Sequence, residues 1–354
     1  MCKNISYAAL GILVVVTAVS SAAQDEVARP ALNAPSPEEA PYLSGIRQIT
    51  FKEQGLDRSG EAYFSPDMKT IIFQAYPVGE SEYQIYTLPV DAVAGTRPKL
   101  VSTGRGACTC AYFRPDGRKI IFASNHLNTN LPNPAPVKTG EKYSWPFHPG
   151  MDVFEADPDG THLRRLTDAE GYDAECSYSP DGKSIVFCSQ RDGDLELYIM
   201  DSDGKNPRRL TYGEGYDGGP FFSPDGRTIL YRGDRRNTPE MLLQIRMIDV
   251  DGKNDRALTD NELFNWAPYY HPSGKYFVYV EVDHAAYAKQ SRPNYDLFVM
   301  DVAGKNRTRI TFDPEFDGLP VFSPDGKKLM WTSKRAGQSE AQVFIADWTA
   351  PSGF

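Results

Sequence analysis

Short apolar runs recur along this chain at intervals of 44 to 65 residues, and each follows a polar turn. Ile120-Ile121-Phe122 is one example. Runs of this length are too short for a helix and are typical of strands that are buried on both faces. The preceding Ser-Pro-Asp-Gly phrase supplies a fixed φ at proline, a hydrogen-bond acceptor at aspartate and a positive φ at glycine, as a tight turn requires. The pattern therefore predicts a β-hairpin at each run.

The turn and its strand occur six times. The copies are FSPDMKTIIF (64–73), FRPDGRKIIF (113–122), YSPDGKSIVF (178–187), FSPDGRTILY (222–231), YHPSGKYFVY (270–279) and FSPDGKKLMW (322–331). A second repeat follows, as in ELYIMDSDGKNPRRLT (196–211), and adds a third strand, another turn and a short fourth strand. Units of about 45 residues with four strands are typical of propeller blades. The sequence therefore predicts an all-β fold, a six-bladed β-propeller of four-stranded antiparallel blades.

The two ends of the repeat array are predicted to close the ring. The last unit stops after its third strand, at 341–348, and a matching fourth strand stands near the N-terminus, at 46–50. An N-terminal strand that completes the last blade leaves no open seam.

The remaining segments give the domain organisation. Residues 1–23 have a positive start, a short apolar stretch and small residues at the end, which predicts a cleaved signal peptide; an uncleaved membrane anchor is the alternative. Residues 24–44 are rich in proline, alanine and acid and are predicted to be a flexible tether. The propeller is predicted at 45–350, with a long loop insertion at 124–152 in blade 2. No segment of the mature chain is expected to span a membrane.

Charge and cysteine content narrow the function classes. The formal net charge of −9 argues against nucleic-acid binding, which needs clustered positive charge. Four cysteines follow the signal: Cys108, Cys110, Cys176 and Cys188. In an exported protein Cys176 and Cys188, which flank one tight turn, are the candidate disulfide, and two free buried thiols are the alternative.

The candidate site lies on the face opposite the short turns, here called the loop face, which gathers the longer connections. Its channel mouth is predicted to collect Glu61, Cys110, Glu175, Gly219, Ala267 and Leu319. Around it we expect an acidic inner ring and a basic outer ring. The inner ring contains Asp173, Asp217, Asn265 and Asp317, with Trp266 adjacent, and the outer ring contains Arg191, Arg235, Arg236, Lys334 and Arg335. The insertion adds Tyr143, Trp145, Phe147 and His148. We interpret this face as a polar socket for a peptide or small ligand, with a bound cation as a further option. The alternative is that the acidic residues only stabilise turns and that the basic residues form a solvent-exposed rim.

The repeated phrases FSPDG(K/R)xIxF and DxDGxxxRxLT resemble the β-propeller of the TolB family. The resemblance covers about residues 45–350 and implies an exported, periplasmic and non-enzymatic protein. We also expect a monomer without cofactors. The resemblance further implies an envelope protein or peptide as partner, such as the peptidoglycan-associated lipoprotein of the Tol-Pal system. TolB proteins carry an α/β domain before their propeller, whereas about 22 residues separate the expected cleavage site from the first strand here. The resemblance is therefore to the propeller alone.

An enzymatic alternative rests on histidines. Neither Gly-x-Ser-x-Gly nor His-Glu-x-x-His occurs, so the sequence lacks these hydrolase and zinc-protease signatures. His126, His148 and His284 fall on loop-face segments. Some oligogalacturonate lyases resemble such propellers and bind a divalent metal through histidines, so a metal-dependent polysaccharide-active enzyme is the alternative function.

Overall fold

The computed structural model describes residues 34–131, 137–139, 143–145, 147–236, 242–284 and 294–354, with the backbone alone at 137–139 and 143–145. Within these residues the chain forms six four-stranded antiparallel sheets, one for each predicted blade. The predicted all-β, six-bladed propeller is confirmed. The signal peptide and residues 24–33 of the tether lie outside the described residues and stay predictions.

The strands follow the order of the repeats. A first strand, β1 (Leu43–Gln48), precedes blade 1, and a short 3-10 helix (Lys52–Gln54) separates the two. Blade 1 contains β2 (Leu56–Phe64), β3 (Thr70–Pro77), β4 (Gln84–Pro89) and β5 (Lys99–Leu100). Blade 2 contains β6 (Cys108–Phe113), β7 (Ile120–Ser124), β10 (Asp152–Ala156) and β11 (Arg164–Arg165), and its insertion forms a hairpin of β8 (Val137–Thr139) and β9 (Tyr143–Trp145).

The other four blades have no inserted hairpin among their described residues. Blade 3 contains β12 (Asp173–Tyr178), β13 (Ser184–Ser189), β14 (Glu196–Asp201) and β15 (Arg208–Arg209). Blade 4 contains β16 (Asp217–Phe222), β17 (Thr228–Gly233), β18 (Gln244–Asp249) and β19 (Arg256–Ala257). Blade 5 contains β20 (Phe264–Tyr270), β21 (Tyr276–Val282), β22 (Asp296–Asp301) and β23 (Thr308–Arg309). Blade 6 contains β24 (Asp317–Phe322), β25 (Lys328–Ser333) and β26 (Gln342–Trp348).

The N-terminal strand closes the ring as predicted. β1 pairs antiparallel with β26, with Leu43 opposite Trp348 and Gln48 opposite Phe344. Beyond β1 the backbone N–H of Ile49 donates to the carbonyl of Val343 at 2.8 Å. Blade 6 is therefore built from both ends of the propeller, so that no blade is left with three strands.

A threonine at the end of the outer strand stabilises each of five blades. Its hydroxyl accepts a hydrogen bond from a backbone N–H of the third strand in Thr50–Val343, Thr167–Val153, Thr211–Leu197, Thr259–Ile245 and Thr311–Leu297, at 2.8 to 2.9 Å. In blade 1, Ser102 accepts from Ile85 at 3.0 Å. These contacts explain why the second repeat ends in Leu-Thr or Ile-Thr.

Replacement of Thr311 by valine is expected to lower the free energy of unfolding by about 1–3 kcal/mol. The side chain is fully buried, so valine keeps its shape while the N–H of Leu297 loses its hydroxyl acceptor. Urea denaturation of the two proteins measures the difference. Thr161→Val is the matched control, because Thr161 bonds only in an exposed turn, and a change there as large as that of Thr311→Val would contradict the assignment.

The Ser-Pro-Asp-Gly turns form a hydrogen-bonded unit. In the last copy the Ser323 hydroxyl donates to Asp325 at 2.6 Å and accepts the backbone N–H of Lys328 at 2.9 Å. The Asp325 carboxylate also accepts the N–H of Lys327, and the serine bond holds the pKa of Asp325 below its usual value. These turn acids therefore act in the local fold.

Outer-strand arginines link neighbouring blades. Arg208 donates to the carbonyl of Val250 at 2.7 Å, and Arg256 donates to that of Val302 at 3.0 Å. Each of these bonds joins the outer strand of one blade to the second turn of the next. The same interaction joins Arg47 to Val90 across the closure.

The predicted tether is folded at its C-terminal end, so its boundary was wrong. Ser36 and Glu39 form a capping box, with the Ser36 N–H bound to the Glu39 carboxylate at 3.0 Å and the Glu39 N–H bound to the Ser36 hydroxyl at 3.2 Å. Glu39 is 2% exposed and contacts Arg335 at 3.1 Å. The prediction relied on composition and missed that Ser-Pro-Glu-Glu is a turn signal.

Candidate functional site

The same irregularity occurs in every inner strand and builds the channel mouth. Each strand has a β-bulge whose central residue has a positive φ, at Glu61 (47°), Cys110 (54°), Glu175 (54°), Gly219 (59°), Ala267 (50°) and Leu319 (52°). Non-glycine residues rarely adopt this conformation, and strained positions of this kind concentrate at functional sites. All six residues line one cavity of about 30 Å³, so the structure places them together as expected from the sequence. We call this cavity the channel mouth; a role in binding stays a prediction.

A buried network occupies one side of the channel mouth. The Glu175 carboxylate accepts hydrogen bonds from the Tyr216 hydroxyl at 2.7 Å, the Gly219 N–H at 2.5 Å and the Arg232 guanidinium at 3.0 Å. A longer contact of 3.4 Å comes from Tyr172. The guanidinium also lies over the Tyr216 ring, 5.5 Å from its centre. Glu175 is therefore fully engaged by the protein's own donors.

Two adjacent glycines make this network fit. A Cβ atom at Gly219 would lie 1.8 Å from Nη1 of Arg232, and one at Gly218 would lie 2.1 Å from the Tyr216 hydroxyl. Arg232 therefore enters the cavity through space that a side chain fills in the other blades.

Arg232 is a residue of the channel mouth that the sequence-based prediction did not include. The equivalent positions of the other middle strands hold Gln74, Ala123, Cys188, Val280 and Thr332, so a charged residue is unusual there. Its register partner is Gly218. A lone arginine opposite a Gly-Gly pair was the signal that could have identified it.

Glu61 is the second carboxylate at the channel mouth, and its contacts are weaker. Its side chain is half-buried and accepts from the Tyr63 hydroxyl at 3.4 Å. Burial raises the pKa of Glu61 to about 7, and the Cys110 thiol and Arg232 oppose this rise. This carboxyl therefore titrates near neutral pH.

The predicted acidic and basic rings do not exist as separate rings. Asp173, Asp217 and Asp317 are buried and pair with Arg191 at 2.9 Å, Arg235 at 2.8 Å and Arg335 at 2.8 Å, respectively. In each case the arginine follows the middle strand of the same blade and folds back onto the start of the inner strand. These six residues stabilise blades 3, 4 and 6, and none of them lines the channel mouth.

The two neutral members of the predicted socket are also buried elsewhere. Asn265 donates to Asn261 at 2.8 Å, and the Trp266 ring packs 6.4 Å from that of Phe264. Neither lines the channel mouth.

The described end of the insertion packs beside the Glu175 network. The Phe147 ring lies 5.2 Å from that of Tyr172 and 5.5 Å from that of Tyr216, two tyrosines that contact Glu175. His148 is buried, with Nε2 3.7 Å from a Glu82 oxygen, and burial lowers its pKa. The side chains of Tyr143 and Trp145 lie outside the described residues.

The candidate disulfide is absent. Cys176 and Cys188 are both free, because a bulge in β12 shifts the register and places Ala174 opposite Cys188. The Cys176 thiol points to the carbonyl of Cys110 at 3.6 Å, whereas that of Cys188 points to the carbonyl of Asp217 at 3.1 Å. The alternative of two free buried thiols describes the structure.

The candidate histidines do not meet. The His126 ring packs at a tilt against that of Phe154 in blade 2, with ring centres 4.5 Å apart, whereas the His284 ring stacks on that of Phe264 in blade 5 at 4.9 Å. Within the described ranges, no three His, Cys, Asp or Glu side chains are grouped so that they could hold a metal ion. The described helices likewise include none that is long and apolar enough to cross a bilayer.

A larger cavity of about 320 Å³ opens on the turn face, at the other end of the channel. All six turn prolines line it: Pro66, Pro115, Pro180, Pro224, Pro272 and Pro324. Tyr112, Phe221 and Tyr269 form an aromatic cluster here, and the last two also line the channel mouth. The sequence predicts binding on the loop face alone and gives no sign of this cavity, which arises where the turns converge.

Comparisons with known proteins agree with this architecture. The sequence model of the Tricorn protease N-terminal β-propeller domain matches residues 145–295. A TolB homolog of Chlorobium luteolum is 37% identical over 54 residues, a match that spans 15% of this chain and 12% of that relative's length. A structure described as TolB from Agrobacterium tumefaciens superposes with a TM-score of 0.59 at 22% identity, covering 88% of this chain and 99% of that one.

The chain is a six-bladed β-propeller whose fold is similar to that of TolB. TolB from Acinetobacter baumannii gives a TM-score of 0.55 at 19% identity, covering 83% of this chain and 64% of that one. An oligogalacturonate lyase from Vibrio parahaemolyticus gives 0.53 at 14% identity, with 83% and 78% covered. At these identities the superpositions show the six-bladed propeller fold alone, and the function has to be argued from this chain's own site.

Proposed function

We propose that this TolB-like propeller is an exported, non-enzymatic protein that binds a protein or peptide partner in the cell envelope through its channel mouth. The observation that carries the proposal is the ring of six bulge residues with positive φ. Two of these residues are glutamates, and the buried Arg232 lines the same cavity. Rigidly held polar groups in a concave apolar setting are the usual means of ligand recognition.

Two features support an envelope location for the partner: the predicted export signal and the likeness to TolB. Residues 1–23 supply the predicted export signal, and the mature protein would act in the periplasm. A Tol-Pal-like role, with a peptidoglycan-associated lipoprotein as partner, is the corresponding proposal. It is supported by the resemblance of the repeats and by the 54-residue match.

The chemistry of the channel mouth favours binding over catalysis. Burial raises the pKa of the Cys110 thiol well above its usual value, so that this thiol stays protonated at neutral pH. The thiolate is the nucleophilic form of cysteine, and Cys110 is therefore a poor nucleophile. The lyase-like alternative needs converging metal ligands, and the three candidate histidines are not brought together among the described residues.

Site-specific photo-cross-linking in bacterial cells tests the proposal. A benzoylphenylalanine at Leu319, in the channel mouth, is expected to capture an envelope protein from the periplasmic fraction. The same probe at Asp116, exposed in a turn on the opposite face, is the matched control and is expected to capture none. Capture from Asp116 alone, or retention of the protein in the cytoplasm, would contradict the proposal.

A further inference from the structure

The channel mouth has a polar half and an apolar half. Blades 1 to 4 contribute Glu61, Cys110, Glu175 and Arg232, whereas blades 5 and 6 contribute Ala267, Pro268, Leu319 and Pro320. We propose that this cavity recognises a primary ammonium group on an aliphatic chain, as in a lysine side chain of the partner, with Glu61 as its counter-ion. The inference rests on the proposed function, because it names the chemistry that the partner presents at the same site.

Charge is the first argument. Glu61, Glu175 and Arg232 are the charged residues among those that line the cavity. Arg232 is engaged by Glu175 at 3.0 Å, and Glu175 is engaged by three further donors. With Glu61 ionised, the cavity has one negative charge in excess, and that charge lies on the carboxylate with the weaker contacts. A cation is therefore the complementary ligand.

Size and shape are the second argument. A cavity of about 30 Å³ accommodates about two water molecules, and an ammonium group is close to one water in size. A planar guanidinium with its five N–H donors needs more room and more acceptors than this cavity offers. Leu319 and the two prolines offer an apolar wall to an aliphatic stem, as lysine stems usually find in proteins.

The titration of Glu61 sets the expected pH dependence. The groups that face it are Tyr63, Cys110, Glu175 and Arg232, and burial is the main cause of its pKa of about 7. An alkylammonium keeps its charge between pH 6 and 8. The ionised fraction of Glu61 rises about tenfold over this interval, so binding is expected to strengthen about tenfold from pH 6 to pH 8.

Titration of the full chain with small probes, followed by NMR, tests the inference. Nα-acetyl-lysine-methylamide is expected to bind about tenfold more tightly at pH 8 than at pH 6. The norleucine analogue, which has the same stem without the charge, and the arginine analogue are expected to bind at least tenfold more weakly than the lysine probe. Glu61→Gln is expected to lose at least tenfold in affinity and all pH dependence. Glu340→Gln, an exposed glutamate beyond the channel mouth, is the matched control and keeps both.

A second variant guards against a folding defect in Glu61→Gln. Leu319→Phe narrows the apolar half without altering charge and is expected to weaken lysine-probe binding at both pH values. Equal binding of the lysine and norleucine probes, or unchanged pH dependence in Glu61→Gln, would overturn the inference.

The two proposals fail in different ways. If wild type and Glu61→Gln capture the partner equally from Leu319, the ammonium inference is overturned and the proposed function stands. If wild type captures no envelope protein while the lysine probe binds as expected, the proposed function fails and the ammonium chemistry stands.

Discussion

Replacement of Arg335 by methionine is expected to lower the free energy of unfolding by about 3–5 kcal/mol at neutral pH. The Arg335 guanidinium contacts Asp317 at 2.8 Å and Glu39 at 3.1 Å, and all three residues are buried. Methionine keeps most of the volume and leaves two carboxylates without their cation. Removing one partner from a buried ion pair has an effect of about this size, because the remaining charge stays desolvated.

The pH dependence of this variant gives a second measurement. Burial already raises the pKa of Asp317, with Arg335 opposing the rise. Without the arginine, the pKa of Asp317 is expected to rise further, so the deficit should shrink at acidic pH, where the carboxyl is neutral. Urea denaturation at pH 7.5 and pH 4.5 measures both effects.

A matched surface arginine provides the control. Arg227 lies 4.0 Å from Asp225, and its side chain is 84% exposed, so Arg227→Met is expected to change stability by less than about 1 kcal/mol. If Arg335→Met were as mild as Arg227→Met, the buried triad would contribute little to the closure of the ring.

Gly219→Ala is expected to lower the free energy of unfolding by about 3 kcal/mol, chiefly by displacing Arg232. The new Cβ would lie 1.8 Å from Nη1 of Arg232, and the guanidinium would have to leave Glu175. Ala267 occupies the equivalent position of blade 5 with a φ of 50°, so the backbone itself accepts alanine there. The expected loss therefore reflects an uncompensated buried carboxylate.

A double-mutant cycle separates the two causes. In an Arg232→Met background the clash is absent, and Gly219→Ala is expected to have an effect of only about 1 kcal/mol, as for a left-handed alanine. Gly226→Ala is the control for backbone strain alone, because its Cβ would meet no atom closer than 3.7 Å and its φ is +72°. If Gly219→Ala had the same effect in both backgrounds, Arg232 would not be the cause.

The periodic features of the fold were readable from the sequence. The Ser-Pro-Asp-Gly turn is local chemistry, in which Ser323 and Asp325 bond to backbone groups a few residues away. Short apolar runs after such turns specify strands, and a sixfold repeat specifies the ring. Alignment of the copies also placed Glu61 and its five equivalents at the channel mouth, because equivalent residues occupy equivalent positions in a symmetric ring.

The chemistry of the site was decided by the tertiary structure. Asp317 and Arg335 are 18 residues apart in the chain. The Arg335 guanidinium lies over the Trp331 ring, 4.8 Å from its centre, and pairs with Asp317. The two residues therefore form a buried ion pair and not the predicted polar socket. The bulge in β12 separates Cys176 from Cys188, although their spacing in the chain suits a hairpin pair.

Arg232 shows the same limit most clearly. The sequence alone determined which positions face the channel, because side chains alternate along a strand and the aligned repeats identify equivalent positions. The charge that remains unpaired at those positions depends on contacts with side chains of other strands and other blades. Arg232 in blade 4 reaches Glu175 in the adjacent blade 3 through space left by two glycines. The pairing that leaves Glu61 with the weaker contacts is therefore a property of the folded ring.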